Sequence, residues 1–323
     1  MASEFELIRR YFDRPAKSAV LGVGDDAALI APSPGFEIAA TADMLVEGRH
    51  FFAGAEAEAL GHKTLAVNLS DLAAMGAMPR WALLALALPA VDEGWLAAFA
   101  RGFFALADAH GVDLVGGDTT RGPRNLCVTV FGEVPAGKAL RRSGAKGGDS
   151  IWVSGKLGDA ALALAHRLGR VRLEGAELAG CDSALTRPAP RVTLGLALRG
   201  IASAVIDVSD GLVGDLGHVL DASRIGATVD IDALPRSPAM ARQLAGAQRE
   251  IALQCLLAGG DDYELCFTAP RARDAAIAAL GARLGLPLTR IGIATAQHRG
   301  LEVRDASGAA LEPLPRAFDH FAS

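Results

Sequence analysis

A turn-rich stretch, RRSGAKGGDS at 141–150, interrupts a sequence that otherwise alternates strand-like apolar runs with helical periods on both sides of it. Segments of that kind bury themselves as helices layered on sheets, so the chain reads as two α/β (α+β) domains, one over 1–140 and one over 150–323. A length of 323 residues, about twice that of a usual domain, supports the same division.

In the first half, alternation and turn punctuation predict strands at 36–41, 81–88, 112–115 and 126–134, with helices at 57–75 and 93–110. In the second half they predict strands at 151–154, 203–208, 228–231, 263–268, 289–293 and 301–304. Helices are expected there at 159–168, 190–199, 212–223 and 271–284.

With 51% hydrophobic and 21% charged residues, the composition is that of a self-folding globular chain. The formal net charge is −5 and no run of Lys or Arg exceeds a pair such as Arg141 and Arg142, which argues against a nucleic-acid partner. The apolar run at 81–91 is too short to cross a bilayer, and the start at 1–10 is amphipathic and carries Glu4 and Glu6. Neither a membrane span nor a signal peptide is expected, which places the chain in the cytoplasm. Cys127, Cys181, Cys255 and Cys266 form no C-x-x-C pair and are expected as reduced core thiols.

The carboxylates are harder to place as ordinary surface residues. Asp43, Asp118 and Asp207 each close an apolar strand-like run, where an uncompensated charge is costly and where open α/β sheets usually put ligands. Asp71 sits in an apolar helical stretch with Asn68 one turn earlier; an exposed polar stripe and a functional site both fit that placement. Aspartates without neighbouring His or Cys suit a hard cation such as Mg²⁺. Cations are also required if several carboxylates face one triphosphate, since like charges about 4 Å apart repel by roughly 4 kcal/mol at an effective dielectric near 20.

Ser209, Asp210 and Gly211 join the run ending at Asp207 to a helix starting at 212. Ser209 or Asp210 could cap that helix, and its N-terminus could face a phosphate while Asp207 and Asp210 hold a metal. No G-x-x-x-x-G-K-[ST] motif occurs, and GVGDDA at 22–27 lacks the third glycine of a dinucleotide fingerprint and carries acid where a pyrophosphate would lie.

Eight phrases in order resemble the thiamine-monophosphate kinase family almost from end to end. They are GVGDDAA (22–28), TADMLVEGRHF (41–51), NLSDLAAMGA (68–77), GGDTTRGP (116–123), RSGAKGGD (142–149), IDVSDGLVGDLGH (206–218), GGDDYELCF (259–267) and FDHFA (318–322). That family belongs to the aminoimidazole ribonucleotide synthetase-like superfamily. The resemblance implies an N-terminal α/β domain dimerising through its sheet, a C-terminal α/β domain, and ATP bound between them.

It further implies transfer of a phosphoryl group from ATP to thiamine phosphate with several Mg²⁺ ions. On the matching positions, Asp26, Thr41, Ala42, Asp43, Asp71, Asp118, Asp207 and Asp210 are the implied metal set, with Asp207 and Asp210 also the catalytic pair. Gly117, Asp118, Arg142 and Ser209 are implied for ATP, and His50, Asp261 and Phe318 for thiamine phosphate. Ala42 stands where the family usually has Thr, and Asp261 where Glu is frequent. Another ATP-using member of the superfamily, or a non-catalytic nucleotide- or cation-binding protein, is the alternative. The sister selenophosphate and hydrogenase-maturation proteins would carry an N-terminal or a C-terminal cysteine, whereas the first cysteine here is Cys127 and the sequence ends FAS.

Overall fold

A computed structural model describes residues 3–318 of the chain. It divides into two compact units, Met1–Leu72 with Ala77–Ala139, and Leu140–Ser323 with the short segment Ala73–Gly76.

The first unit comprises α1 (Glu4–Tyr11), β1 (Phe36–Val46), α2 (Ala57–Ala74), β2 (Met78–Leu88), α3 (Glu93–His110), β3 (Asp113–Arg121) and β4 (Asn125–Pro135). Its four strands lie in the order β1-β4-β2-β3, with β2 and β3 parallel and the other pairs antiparallel. The parallel pair needs a long crossover, which α3 supplies. The ends of α3 are set by residue type: Asp92 accepts the Trp95 amide at 3.0 Å, and Gly111 takes the left-handed conformation that stops the helix. Helices α2 and α3 approach backbone to backbone, since a Cβ on Gly102 would fall 1.8 Å from the Glu58 carbonyl. Only glycine fits there.

Period-two alternation gives this sheet one buried face and one open face. In β4, Leu126, Val128 and Val130 are buried while Cys127, Thr129 and Phe131 are partly exposed. In β1, Thr41, Asp43 and Leu45 fall on the more buried face, whereas Ala42 and Met44 are exposed.

The second unit contains β5 (Asp149–Ser154), α4 (Asp159–Arg167), α5 (Gly175–Thr186), α6 (Val192–Leu198), β6 (Ala204–Val208), α7 (Leu212–Ser223) and β7 (Gly226–Asp230). After these come α8 (Pro238–Ala245), α9 (Arg249–Ala258), β8 (Glu264–Pro270), α10 (Asp274–Leu284), β9 (Leu288–Thr295) and β10 (Gly300–Arg304). The six strands run β10-β7-β9-β5-β8-β6, parallel only between β10 and β7. Every residue of β5 and β6 is buried, so both faces of these strands are covered. Ile151, Val153, Ile206, Val208 and Cys266 enter one core with side chains of α4, α5, α7 and α9. Trp152, Val205, Asp207 and Phe267 alternate to the opposite face. On the outer side of the edge strand β6 the Arg141 carbonyl accepts the Val205 amide at 2.9 Å.

Two strand ends that carry singled-out aspartates differ from the sequence expectation. The strand expected at 36–41 runs on to Val46 and the one expected at 112–115 runs on to Arg121, so Asp43 and Asp118 lie inside strands rather than closing them. Both polar extensions are carried by ladder pairing, Asp43 opposite Val128 and Asp118 opposite Ala85, which hydropathy alone does not register. Asp207 does lie next to the end of its strand. Helices α1, α5, α8 and α9 were not anticipated. Cys181, Cys255 and Cys266 are buried free thiols, and Cys127 is half-buried. Among the described residues no helix is long and apolar enough to cross a membrane.

Candidate functional site

In the first unit a cavity of about 920 Å³ opens against the sheet, lined by α1, the loop at 23–30 and strands β2, β3 and β4. It gathers Asp26, Gly117 and Asp118, three of the residues singled out from the sequence. The loop is held at its base, where the Asp113 carboxylate accepts the amides of Lys17 and Ser18 at 2.8 and 2.7 Å and Leu21 bridges to Leu29. Within it Asp25 accepts the Asp26 amide at 2.8 Å. Asp118 is aimed by a local distortion of β3: the register shifts between Ala82 and Leu83, and Gly117 adopts φ 150°. A Cβ on Gly117 would fall 1.8 Å from the Leu84 carbonyl, so glycine is obligatory at that contact.

Thr41, Asp43 and Asp71 do not line that cavity; they are joined where β1 meets α2. The Thr41 hydroxyl donates to the Asp71 carboxylate, and the Asp43 amide donates to Asn68 Oδ1 at 3.1 Å. Asn68 is fully buried, which removes the reading of Asn68 and Asp71 as an exposed polar stripe. Because the Asp43 amide turns to Asn68, the backbone polar groups of the preceding residue, Ala42, turn to the ladder with Thr129. Ala42 offers no side-chain ligand, so any metal contact there falls to the second lone pair of its carbonyl. His50 follows β1 in a tight loop in which its Nδ1 accepts the Val46 amide at 3.0 Å and its own amide donates to the Val46 carbonyl at 3.0 Å. With Nδ1 accepting, the ring proton of the neutral form resides on Nε2.

In the second unit the hub is the loop 209–211 between β6 and α7. The Ser209 carbonyl accepts the Asp261 amide at 2.9 Å, and the Asp210 carbonyl accepts the Phe318 amide at 3.3 Å. Three segments far apart in the sequence thus meet on one turn. Asp207 is buried at 4% exposure, and Phe318 is 51% exposed. Glycine permits the approach: a Cβ on Gly260 would fall 2.5 Å from the Ser209 carbonyl, and one on Gly214 2.5 Å from the Ala317 Cβ.

Neither Ser209 nor Asp210 caps α7. Gly211 occupies the cap position without a side-chain bond, and Asp215, from inside the first turn, accepts the amides of Ser209 and Asp210 at 3.0 Å each. Burial pushes the Asp215 carboxyl up to about 7; these two amides and the Arg142 charge oppose the rise, while Asp210 adds to it. Arg142 is therefore within electrostatic reach of the same loop. Sequence reasoning passed over Asp215 although it lies in the phrase at 206–218; its position one turn into a helix that follows a glycine cap is the signal that marks it.

The donor set fits a hard divalent cation. Thr41, Asp43 and Asp71 supply only oxygen atoms, as do Asp26, Asp118, Asp207 and Asp210. Among the described residues no three of His, Cys, Asp and Glu form a ready-made metal cage. Mg²⁺ suits such a site because it keeps water and phosphate ligands and takes only one or two carboxylates.

Comparison with known proteins follows the two-unit fold. Residues 24–134 match the AIR synthase related protein, N-terminal domain, and residues 146–304 match the AIR synthase related protein, C-terminal domain. The chain is thus an AIR synthase-related two-domain protein. It is 47% identical over 325 residues to the thiamine-monophosphate kinase of Salmonella typhimurium, covering 99% of this chain and 98% of that one. The crystal structure of thiamine-monophosphate kinase from Stenotrophomonas maltophilia superposes with a TM-score of 0.84 at 51% identity, covering 91% of this chain and 93% of that one. AaThiL complexed with AMPPCP and TMP superposes with a TM-score of 0.78 at 29% identity, covering 90% and 89%. The chain belongs to the thiamine-monophosphate kinase family.

Proposed function

We infer that the chain transfers the γ-phosphoryl group of ATP to thiamine phosphate, giving thiamine diphosphate and ADP. The observation that carries this reading is the meeting of Asp261 and Phe318 with the Ser209–Asp210 loop, which brings a carboxylate and a half-exposed aromatic ring to the acidic turn after β6. The likeness to a chain complexed with AMPPCP and TMP supports the same pair of ligands here.

Asp26, Thr41, Asp43, Asp71 and Asp118, with Asp207 and Asp210 and more weakly Ala42, are the residues that would hold Mg²⁺. When bound, Mg²⁺ neutralises phosphate oxygens and so lets two anionic reactants approach. Gly117, Asp118, Arg142 and Ser209 serve ATP, the guanidinium by multidentate contact with phosphate. The amides of Ser209 and Asp210 are already engaged by Asp215, so phosphate recognition by backbone at this turn falls to the amides that follow. His50 donates from Nε2 to the phosphate of thiamine phosphate. Phe318 offers a ring face to the cationic heterocycle, and Asp261 offers it a carboxylate.

Transfer is direct and in line. The attacking phosphate oxygen is ionised near neutral pH, so positioning and charge neutralisation suffice, with no strong base and no phosphoenzyme. The protein acts in the cytoplasm, and the open sheet face, which exposes Ile38 and Met44, pairs with a second copy in a homodimer. Incubation of the purified protein with ATP, Mg²⁺ and thiamine phosphate, followed by chromatography, should yield thiamine diphosphate. ATP consumption without that product would favour another ATP-using member of the superfamily. Nucleotide binding without consumption would favour a non-catalytic binding protein.

A further inference from the structure

The loop 259–263, GGDDY, contains two non-glycine residues in the left-handed region, Asp261 at φ 69° and Tyr263 at φ 50°. Asp tolerates that conformation, but for a bulky aromatic it is a strained choice that persists only where surrounding contacts impose it. Those contacts are present. The Asp261 amide donates to the Ser209 carbonyl at 2.9 Å and the Tyr263 amide to the Val208 carbonyl at 2.8 Å. Between them both carboxylate oxygens of Asp262 lie 2.9 Å from the Gly158 amide.

The consequence is a side-chain contact that strand alternation would not produce. Tyr263, only 9% exposed, brings its hydroxyl back across two residues, where it donates to Asp261 Oδ1 at 3.0 Å. Residues two apart in a strand point the same way without meeting head on, so the left-handed pair is what creates the bond. A hydroxyl donating to a carboxylate is a charge-assisted hydrogen bond, and it restrains the Asp261 side chain to the orientation in which that bond is made.

We propose that Tyr263 is a positioning residue for substrate binding: its phenol holds the Asp261 carboxylate in the orientation that receives the cationic, amine-bearing heterocycles of thiamine phosphate. This rests on the reading of Asp261 as a substrate contact. Tyr263 does not touch the reacting atoms; it presents a preoriented acceptor and removes the need to order that side chain when substrate arrives.

The test is a double-mutant cycle with Tyr263→Phe and Asp261→Gly. Phenylalanine keeps the ring and backbone preference and deletes only the hydroxyl; glycine is at ease at φ 69° and deletes the carboxylate. Tyr263→Phe should raise KM for thiamine phosphate by about three- to ten-fold, the size expected for one lost hydrogen bond. KM for ATP, kcat and the melting temperature should change little. In the Asp261→Gly background the same substitution should have no further effect on KM. If Asp261→Gly raises KM but Tyr263→Phe does not, the positioning role is wrong while the reading of Asp261 stands. If Asp261→Gly leaves KM unchanged, that reading falls and the proposal with it. A Tyr263→Phe loss that persists without the carboxylate, or that weakens both substrates together with stability, would likewise overturn it.

Discussion

The backbone amide of Phe318 donates to the carbonyl of Asp210 at 3.3 Å, so the aromatic residue assigned to thiamine phosphate is tied to the same turn as an assigned metal ligand. The ring itself is 51% exposed and so is not a core anchor. Phe318→Ala should therefore leave the melting temperature nearly unchanged and raise KM for thiamine phosphate by about two- to thirty-fold, the range of a lost cation–π contact. Phe318→Trp should restore most of it. Equal weakening of both substrates with a lowered melting temperature would place the ring in the core.

Gly214 tests how that segment docks. A Cβ there would fall 2.5 Å from the Ala317 Cβ, so Gly214→Ala should push the segment off α7. Alanine is favoured over glycine in a helix by roughly 0.5–1 kcal/mol. The variant should thus melt no lower than the parent while KM for thiamine phosphate rises and KM for ATP does not. Steady-state kinetics beside a thermal melt measure both.

Much of the architecture was legible because local chemistry agreed with tertiary context. Helix α3 begins after Asp92 and stops at Gly111 as residue type alone demands. The acidic phrases were legible too, being aspartates among apolar residues. Asp43 and Asp118 were misplaced at strand ends because polar strand extensions are stabilised by partners across the ladder, which one sequence does not display. Helix α9 has weak helical periodicity and forms by packing onto the core, whereas α8 carries a local start signal, Ser237 at the cap followed by Pro238, that was legible and was passed over. The bonds from Asp215 to Ser209 and Asp210, and from Tyr263 to Asp261, depend on backbone conformations that no spacing rule specifies.

The junction of Thr41 with Asp71 gives a metal test. Thr41→Val keeps the shape and deletes the hydroxyl; it should shift the dependence of rate on Mg²⁺ to higher concentration, because the Asp71 carboxylate loses the donor that orients it. Asp43→Asn, Asp71→Asn and Asp118→Asn should each lose most turnover with the fold retained, since each changes charge and almost no volume. Wild-type turnover at limiting Mg²⁺ in any of them would remove that residue from the metal set.

Stability rests elsewhere. Arg191 Nε lies 2.6 Å from Glu264, a carboxylate only 5% exposed that also accepts the Ser154 hydroxyl at 2.5 Å. Arg191→Met would leave that charge buried beside one hydroxyl, at a cost of about 3–5 kcal/mol. Urea unfolding should show the loss as a lowered midpoint with an unchanged slope. A midpoint equal to that of the parent would mean that solvent already screens the pair.

Direct transfer is tested most closely by following the γ-phosphorus. With γ-labelled ATP, Mg²⁺ and thiamine phosphate, the label should appear as the terminal phosphate of thiamine diphosphate, with one ADP formed for each product and none of the label on the denatured protein. Label released as inorganic phosphate without thiamine diphosphate, or a phosphoprotein formed at a competent rate, would contradict it.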